Sequence, residues 1–230
     1  VTELGFRIGP RINAAGRTGS SDLGFRLLTS RSEDEVMAIS ERLNNLNQQR
    51  QNIEQTVLFE ATNNIVNEID EKKLNSIPNS IIANGEKWHL GVLGIVASRL
   101  KEKYYRPSFV ISTNDDVATG SARSVSGIDV GKLIIDAVNE GVLVSGGGHK
   151  MAGGFSLKTS NLDKFKEFCN ERIFDEADED VLKKVNFYDD VIDSYNINRD
   201  LYDLIKLASP YGQGNPEPQF IIKNAKIDFW

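Results

Sequence analysis

The sequence predicts an α/β protein: a long connecting helix, then a domain built on a mixed sheet, then a smaller β unit. Three observations predict it. Apolar residues recur every three or four positions from Ser32 to about Lys72 with no glycine or proline among them. From Ser80 to Phe174, short apolar runs alternate with amphipathic stretches in the order β-α-β-β-α-β-β-α, which makes a mixed sheet. Between them runs Ser145-Gly146-Gly147-Gly148-His149-Lys150-Met151-Ala152-Gly153-Gly154-Phe155, in which five of eleven residues are glycine.

Composition sets the outer limits. The chain has 230 residues, 40% hydrophobic and 26% charged, as in ordinary globular proteins. Its longest nearly apolar run, Gly91 to Ala97, is too short to cross a membrane. No basic and apolar leader follows Val1, and the one cysteine, Cys169, has no partner for an internal disulfide. Both point to a reducing, cytoplasmic setting. The net charge is −6, yet residues 1–31 carry five arginines against Glu3 and Asp22, and the acidic excess lies mostly beyond residue 170.

Taken in order, residues 1–31 read as a loop through Arg17 and a short helix capped by Asp22 up to Leu28, the tail of a domain whose bulk lies upstream. The boundaries that follow are 32–75 for the connecting helix, 76–174 for the α/β domain and 175–230 for a linker and the further β unit. Ser32 and Glu35 form a capping-box pattern. The apolar stripe runs Val36, Ile39, Leu43, Leu46, Ile53, Val57, Ala61, Ile65, Ile69, with Arg50 in its one gap. At about 1.5 Å per residue the helix is roughly 60 Å long, more a strut between domains than part of one core. A coiled-coil dimer is the rival reading.

In the α/β domain, strands are predicted at Ser80–Ala83, Pro107–Ser112 and Val117–Arg123, with Asn114-Asp115-Asp116 as a hairpin turn. A helix starts near Trp88 and runs to about Tyr104. Asp129 caps another to Asn139, which Gly141 stops. Val142–Val144 reads as a strand leading into a glycine loop, from which a second strand runs to Lys158. A helix from about Leu162 to Phe174 and an acidic connector from Asp175 to Asp180 follow. Beyond these come a strand at Val185–Val191, a helix at Leu201–Ala208, a rigid loop from Pro210 to Pro218, and strands at Phe220–Ile222 and Ala225–Trp230.

The candidate chemistry is anion binding. The only histidines are His89 and His149, no cluster has metal-ligand spacing, and no serine nucleophile elbow occurs. Arg11, Asn13 and Arg17 offer two guanidinium forks and an amide. Ser121 and Arg123 share one face of a strand, with Ser124 beside them. The bare amides of Gly146, Gly147 and Gly148 suit a concave anion nest, to which His149 and Lys150 add donors. Guanidinium forks pair with phosphates bidentately, and together the three places suit a phosphodiester.

These stretches also resemble a known family. Ile8-Gly9-Pro10-Arg11-Ile12-Asn13-Ala14-Ala15-Gly16-Arg17, Trp88-His89-x-Gly91-Val92-x-Gly94-Ile95-Val96-Ala97-Ser98-Arg99-Leu100 and Gly120-Ser121-Ala122-Arg123-Ser124 look like successive blocks of the RecJ family. That family belongs to the DHH phosphoesterase superfamily. Gly146-Gly147-Gly148-His149-x-x-Ala152-Gly153-Gly154 resembles the signature of the DHH-associated domain. Pro210-Tyr211-Gly212-x-Gly214-Asn215-Pro216-Glu217-Pro218 is similar to a loop of the family's OB-fold, which makes the last unit the start of an OB-like domain.

The resemblance implies a 5′-to-3′ exonuclease for single-stranded DNA, active in repair and recombination, with Mn2+ or Mg2+ bound by an upstream domain. Its Asp-His-His triplet is not in this sequence, so the chain alone is expected to be inactive. Ser121 and Arg123 would take the 5′-terminal phosphate. Arg11, Asn13 and Arg17 would hold backbone phosphates near the cleft, and Ser124 and His89 are further phosphate-binding candidates. Gly146 to His149 would line the scissile side, with His149 catalytic. A single-strand-binding protein and a helicase are implied partners. The alternatives are a DHH phosphodiesterase for short RNA or cyclic dinucleotides, and a non-catalytic nucleic-acid-binding scaffold.

Overall fold

The computed structural model of the chain describes residues 3–18, 21–71, 77–176, 181–212 and 214–226. The predicted end of the long helix at Lys72, residues 177–180 of the acidic connector, Gln213 and the last four residues of the final strand lie outside them. The chain divides into two compact units, residues 2–183 and 184–230.

The first unit departs at once from the loop reading. Residues Glu3–Ile8 form a π-helical turn that runs on into α1 (Gly9–Thr18), and α2 (Asp22–Thr29) follows. Gly5, Gly9, Pro10 and Gly16 disguise the helix in the sequence. It forms because Ile12 and Ala15, with Leu23 and Leu27 of α2, close a small core against Ile39, Leu43 and Leu46 of α3 (Glu33–Glu71). Asp22 does not cap α2: the N-cap is Ser21, which makes no side-chain bond there. Leu4, Phe6, Phe25 and Leu28 of this segment stay exposed.

Helix α3 is continuous over its 39 residues. Its capping box is only half made. The Glu35 amide donates to Ser32 Oγ at 3.4 Å, but the Glu35 carboxylate accepts from Ser30 Oγ and Arg26 instead of closing back on Ser32. The gap in the apolar stripe is a buried polar cluster, in which Arg50 pairs with Glu54 and donates to Asn47. Beyond it, Val57, Ala61 and Ile65 join a second core with Ile81, Val92, Val96, Leu100 and Val110.

The sheet has the order β1-β2-β3-β5-β4, formed by β1 (Ile81–Glu86), β2 (Ser108–Asn114), β3 (Val117–Arg123), β4 (Ser145–His149) and β5 (Ala152–Lys158). The β1–β2 pair is parallel, bridged by α4 (Leu90–Tyr104), and all other pairs are antiparallel. Asp115, at φ 48°, makes the tight β2–β3 turn. On one face, α3 and α4 cover β1 and β2. On the other, α5 (Val130–Asn139) and α6 (Leu162–Glu176) close over Phe109, Phe155 and Phe165, with ring centroids 4.9–6.2 Å apart. Asp129 caps α5 through the Lys132 amide, and Gly141 stops it at φ +70°. Cys169 is buried in this core, and burial raises its thiol pKa.

In the second unit, Asp190–Val191 (β6) pairs in parallel with Phe220–Ile221 (β7), and α7 (Arg199–Leu207) is capped by Asn198. The strands here are shorter than the sequence suggests, and no strand includes residues 225–226. Asn215 ties the proline-glycine loop together, donating to the carbonyls of Ala208 and Pro210. Among the described residues, no helix is long and apolar enough to cross a membrane.

Candidate nucleic-acid interface

The glycine stretch is a hairpin rather than a loop between strands. Gly146, Gly147 and Gly148 are themselves strand β4, and the turn is Lys150-Met151. None of these glycines has positive φ. The nest expected from three bare amides is therefore not formed, since a nest needs alternating backbone handedness and a strand has none. Side chains in a strand alternate between faces, which splits the run in two.

Gly146, Gly148 and Gly153 turn toward α5 and the core. A Cβ at these positions would come within 2.6 Å of Ile134, 2.4 Å of the Ala152 carbonyl oxygen and 2.4 Å of Ile134 respectively. Gly146 and Gly153 are glycine because the hairpin presses on α5, and Gly148 because its partner strand comes too close for a side chain. Gly147 has nothing within 4 Å of its missing Cβ, and Gly154 only the Gly120 oxygen at 3.9 Å. These two leave the opposite face bare. β4 is the last strand of the sheet, so every second one of its amides points outward from the edge.

Register aligns the remaining candidates along that bare face. Ser121 opposes Gly154, which opposes Gly147; Arg123 opposes Ala152, which opposes His149. Two strand spacings put Arg123 and His149 about 10 Å apart. A third row, Thr119, Ser156 and Ser145, extends the polar surface, with the two serine hydroxyls 2.7 Å apart. Sequence reasoning missed this row, although its even spacing from Ser121 was a readable signal.

The electrostatics centre on Arg123. Its Nη1 donates to the Ala122 carbonyl at 2.7 Å and to Ser121 Oγ at 3.2 Å. It is only partly exposed, and among the described residues it has no carboxylate partner. Burial first, and then the charge of Arg17, pull its pKa below the ordinary guanidinium value. Arg17 reaches the same neighbourhood from α1, donating from Nη1 to the Gly91 carbonyl at 2.9 Å. The N-terminal end of α4 adds its positive dipole. A desolvated arginine facing a second arginine near a helix N-terminus is a site of strongly positive potential.

Other candidates lie elsewhere. Arg11 is tied to α3 and to the π-helical turn, donating to Asn44 Oδ1 at 3.1 Å and to the Arg7 carbonyl at 2.7 Å, so it does not converge with Arg17. Asn13 and Arg17 instead line a groove of about 430 Å³ with Arg50, Glu54 and Arg99. His89 is the N-cap of α4, its Nδ1 accepting from the Gly91 amide at 3.1 Å, which leaves only Nε2 for a ligand. Ser124 is buried, its hydroxyl donating to the Ile128 carbonyl at 2.7 Å, so it serves the turn and cannot reach a phosphate. Among the described residues, no three His, Cys, Asp or Glu side chains gather as a metal-ligand set. The residues here therefore do not fit a catalytic divalent ion.

Comparison with known proteins accounts for this arrangement. Residues 75–175 match the DHHA1 domain and residues 188–230 the RecJ OB domain. Among curated relatives, the single-stranded-DNA-specific exonuclease RecJ of Haemophilus influenzae is 34% identical over 95% of this chain and 38% of its own length. The Escherichia coli protein of the same name is 32% identical over 96% and 38%. This chain thus spans little more than a third of these relatives. Among solved structures, RecJ from Thermus thermophilus in complex with Mn2+ matches 96% of this chain and 31% of its own at 30% identity, TM-score 0.82. With both domains in the family's order and its fold reproduced across nearly the whole length, the chain belongs to the RecJ family.

Proposed function

We propose that this chain is the substrate-holding part of a 5′-to-3′ exonuclease for single-stranded DNA, and that Arg123 and Ser121 grip the 5′-terminal phosphate. The observation that carries the reading is the Arg123 guanidinium. It is partly buried, faces Arg17 without a carboxylate, and opens onto a glycine-bare sheet face. An anion is the ligand that relieves that charge, and a bare face admits a sugar-phosphate chain close to the backbone. Gly147 and Gly154 leave the strand a path toward His149, the exposed donor at the hairpin end and the residue placed at the scissile phosphate. Arg17 and Asn13 hold backbone phosphates further along. Such contacts grip the backbone and do not read base edges.

The Thermus thermophilus RecJ structures were solved with Mn2+ and with Mg2+. The reading gives the whole enzyme such an ion to activate water. The RecJ OB match favours a DNA strand over a cyclic dinucleotide as substrate. The same reading takes a single-strand-binding protein and a helicase as partners and the cytoplasm as the site of action.

The test compares binding of 5′-phosphorylated and 5′-hydroxyl oligonucleotides. Arg123→Ala is expected to weaken the phosphorylated strand about ten- to a hundredfold, a charge-assisted bond's worth, and the hydroxyl strand far less. The salt slope should fall by about 0.7 for the one lost phosphate contact. An Arg123→Ala protein that still separates the two ends as well as wild type overturns the reading.

A further inference from the structure

Resting on that reading of Arg123, we propose that Gly94 is a positioning residue: its missing side chain sets the Arg123 fork against helix α4 and keeps its outer donors free for the phosphate. Gly94 is the fifth residue of a regular helix, a place where glycine is unfavourable relative to alanine. The geometry supplies the reason. A Cβ at Gly94 would lie 2.7 Å from Arg123 Nη2, 3.4 Å from Cζ and 3.2 Å from Ser121 Oγ. The guanidinium therefore lies on bare helix backbone.

The fork has little freedom to retreat, because Nη1 is held by the Ala122 carbonyl and the Ser121 hydroxyl. Nε and Nη2 make no hydrogen bond among the described residues. Those two donors are the edge a phosphate takes bidentately, and Nη2 is the atom a methyl group at position 94 strikes first. Gly91, one turn earlier, makes room for backbone instead: a Cβ there would lie 2.7 Å from the Arg17 carbonyl oxygen. The α4 face is thus stripped of side chains both where the Arg123 guanidinium lies on it and where the chain at Arg17 crosses it. Gly94 touches no substrate and acts only through Arg123.

The experiment is a double-mutant cycle on the chain, read as the ratio of affinities for 5′-phosphorylated and 5′-hydroxyl oligonucleotides. Gly94→Ala is expected to lower that ratio roughly tenfold, toward the Arg123→Ala value. In the Arg123→Ala background it should change the ratio less than twofold, because the group it displaces is gone. A general packing defect in α4 would instead add to Arg123→Ala, and that outcome overturns the proposal. So does a Gly94→Ala protein with the wild-type ratio while Arg123→Ala has lost it. If wild type and Arg123→Ala fail alike to discriminate, the phosphate reading itself falls and takes this inference with it. Should Gly94→Ala not fold, Arg123→Lys supplies the decision, since a narrow ammonium leaves room for the methyl. Folding of Gly94→Ala/Arg123→Lys supports the proposal, and failure of both variants overturns it.

Discussion

The two faces of strands β3, β5 and β4 are made from the same stretch of sequence and have opposite characters. On one, Phe155 packs against Phe109 and Phe165, and Gly120, Gly146, Gly148 and Gly153 are glycine because a Cβ would strike a neighbour at 2.2–2.6 Å. On the other, Gly147 and Gly154 meet nothing closer than 3.9 Å, and the companions are Ser121, Arg123 and His149. One run of glycines thus serves two purposes sorted by parity. Gly146, Gly148 and Gly153 let the core side close up, and Gly147 and Gly154 keep the other surface clear. A glycine signature read as a single unit conceals that division.

The comparison breaks most visibly at the core. Phe155→Ala should cost about 3–5 kcal/mol of unfolding free energy, because it empties the centre of the phenyl cluster. Urea unfolding that shows a loss below about 1 kcal/mol would mean that the face is not the core described.

A sharper cut sets neighbours in β4 against each other. Gly148→Ala should lose about 1–3 kcal/mol through overpacking, since its Cβ would enter the space of the Ala152 carbonyl and the Gly153 backbone. Gly147→Ala should be neutral or stabilising by up to about 1 kcal/mol, as alanine is less costly than glycine in a strand. It should nonetheless weaken oligonucleotide binding. Equal melting temperatures for the two variants would abolish the division by parity.

The smallest effect lies away from the sheet and gives a baseline. Glu35 has its pKa lowered by the Ser30 hydroxyl first and then by Arg26. A depressed carboxylate stabilises the fold above the ordinary glutamate range and loses that contribution as pH falls through its folded value. The melting-temperature difference between wild type and Glu35→Gln should therefore be small near neutrality, and vanish in acid. A difference that grows in acid would contradict the assignment.

The regular parts of the fold were legible because their physics is local. The stripe of α3, the Asp129 cap, the turn at Asp115 and the order of the sheet domain follow from spacing and turn chemistry. What was not legible depends on tertiary partners. Residues 5–17 read as a loop since Gly5, Gly9 and Gly16 erase the period, and only packing of Ile12 and Ala15 on Ile39 and Leu43 makes them helical. The site was half legible. Alternation placed Ser121 and Arg123 together, but nothing local says that Ser124 spends its hydroxyl on Ile128, or His89 its ring on a helix cap. Arg11 and Arg17 sit alike in one motif, yet one is fixed to Asn44 and the other faces Arg123.

The buried cluster of Asn47, Arg50 and Glu54 gives α3 a further property. It separates the small core with α1 and α2 from the larger one with β1 and α4 along one unbroken rod. Hydrophobic cooperativity passes poorly through a layer of polar groups, whereas helical hydrogen bonding passes through it unchanged. The helix therefore joins the two cores through its backbone, and the Arg17–Gly91 hydrogen bond between α1 and α4 is a second link. Amides before Asn47, which sit on the smaller core, are therefore expected to exchange faster than those beyond Glu54, so that order is graded along the rod.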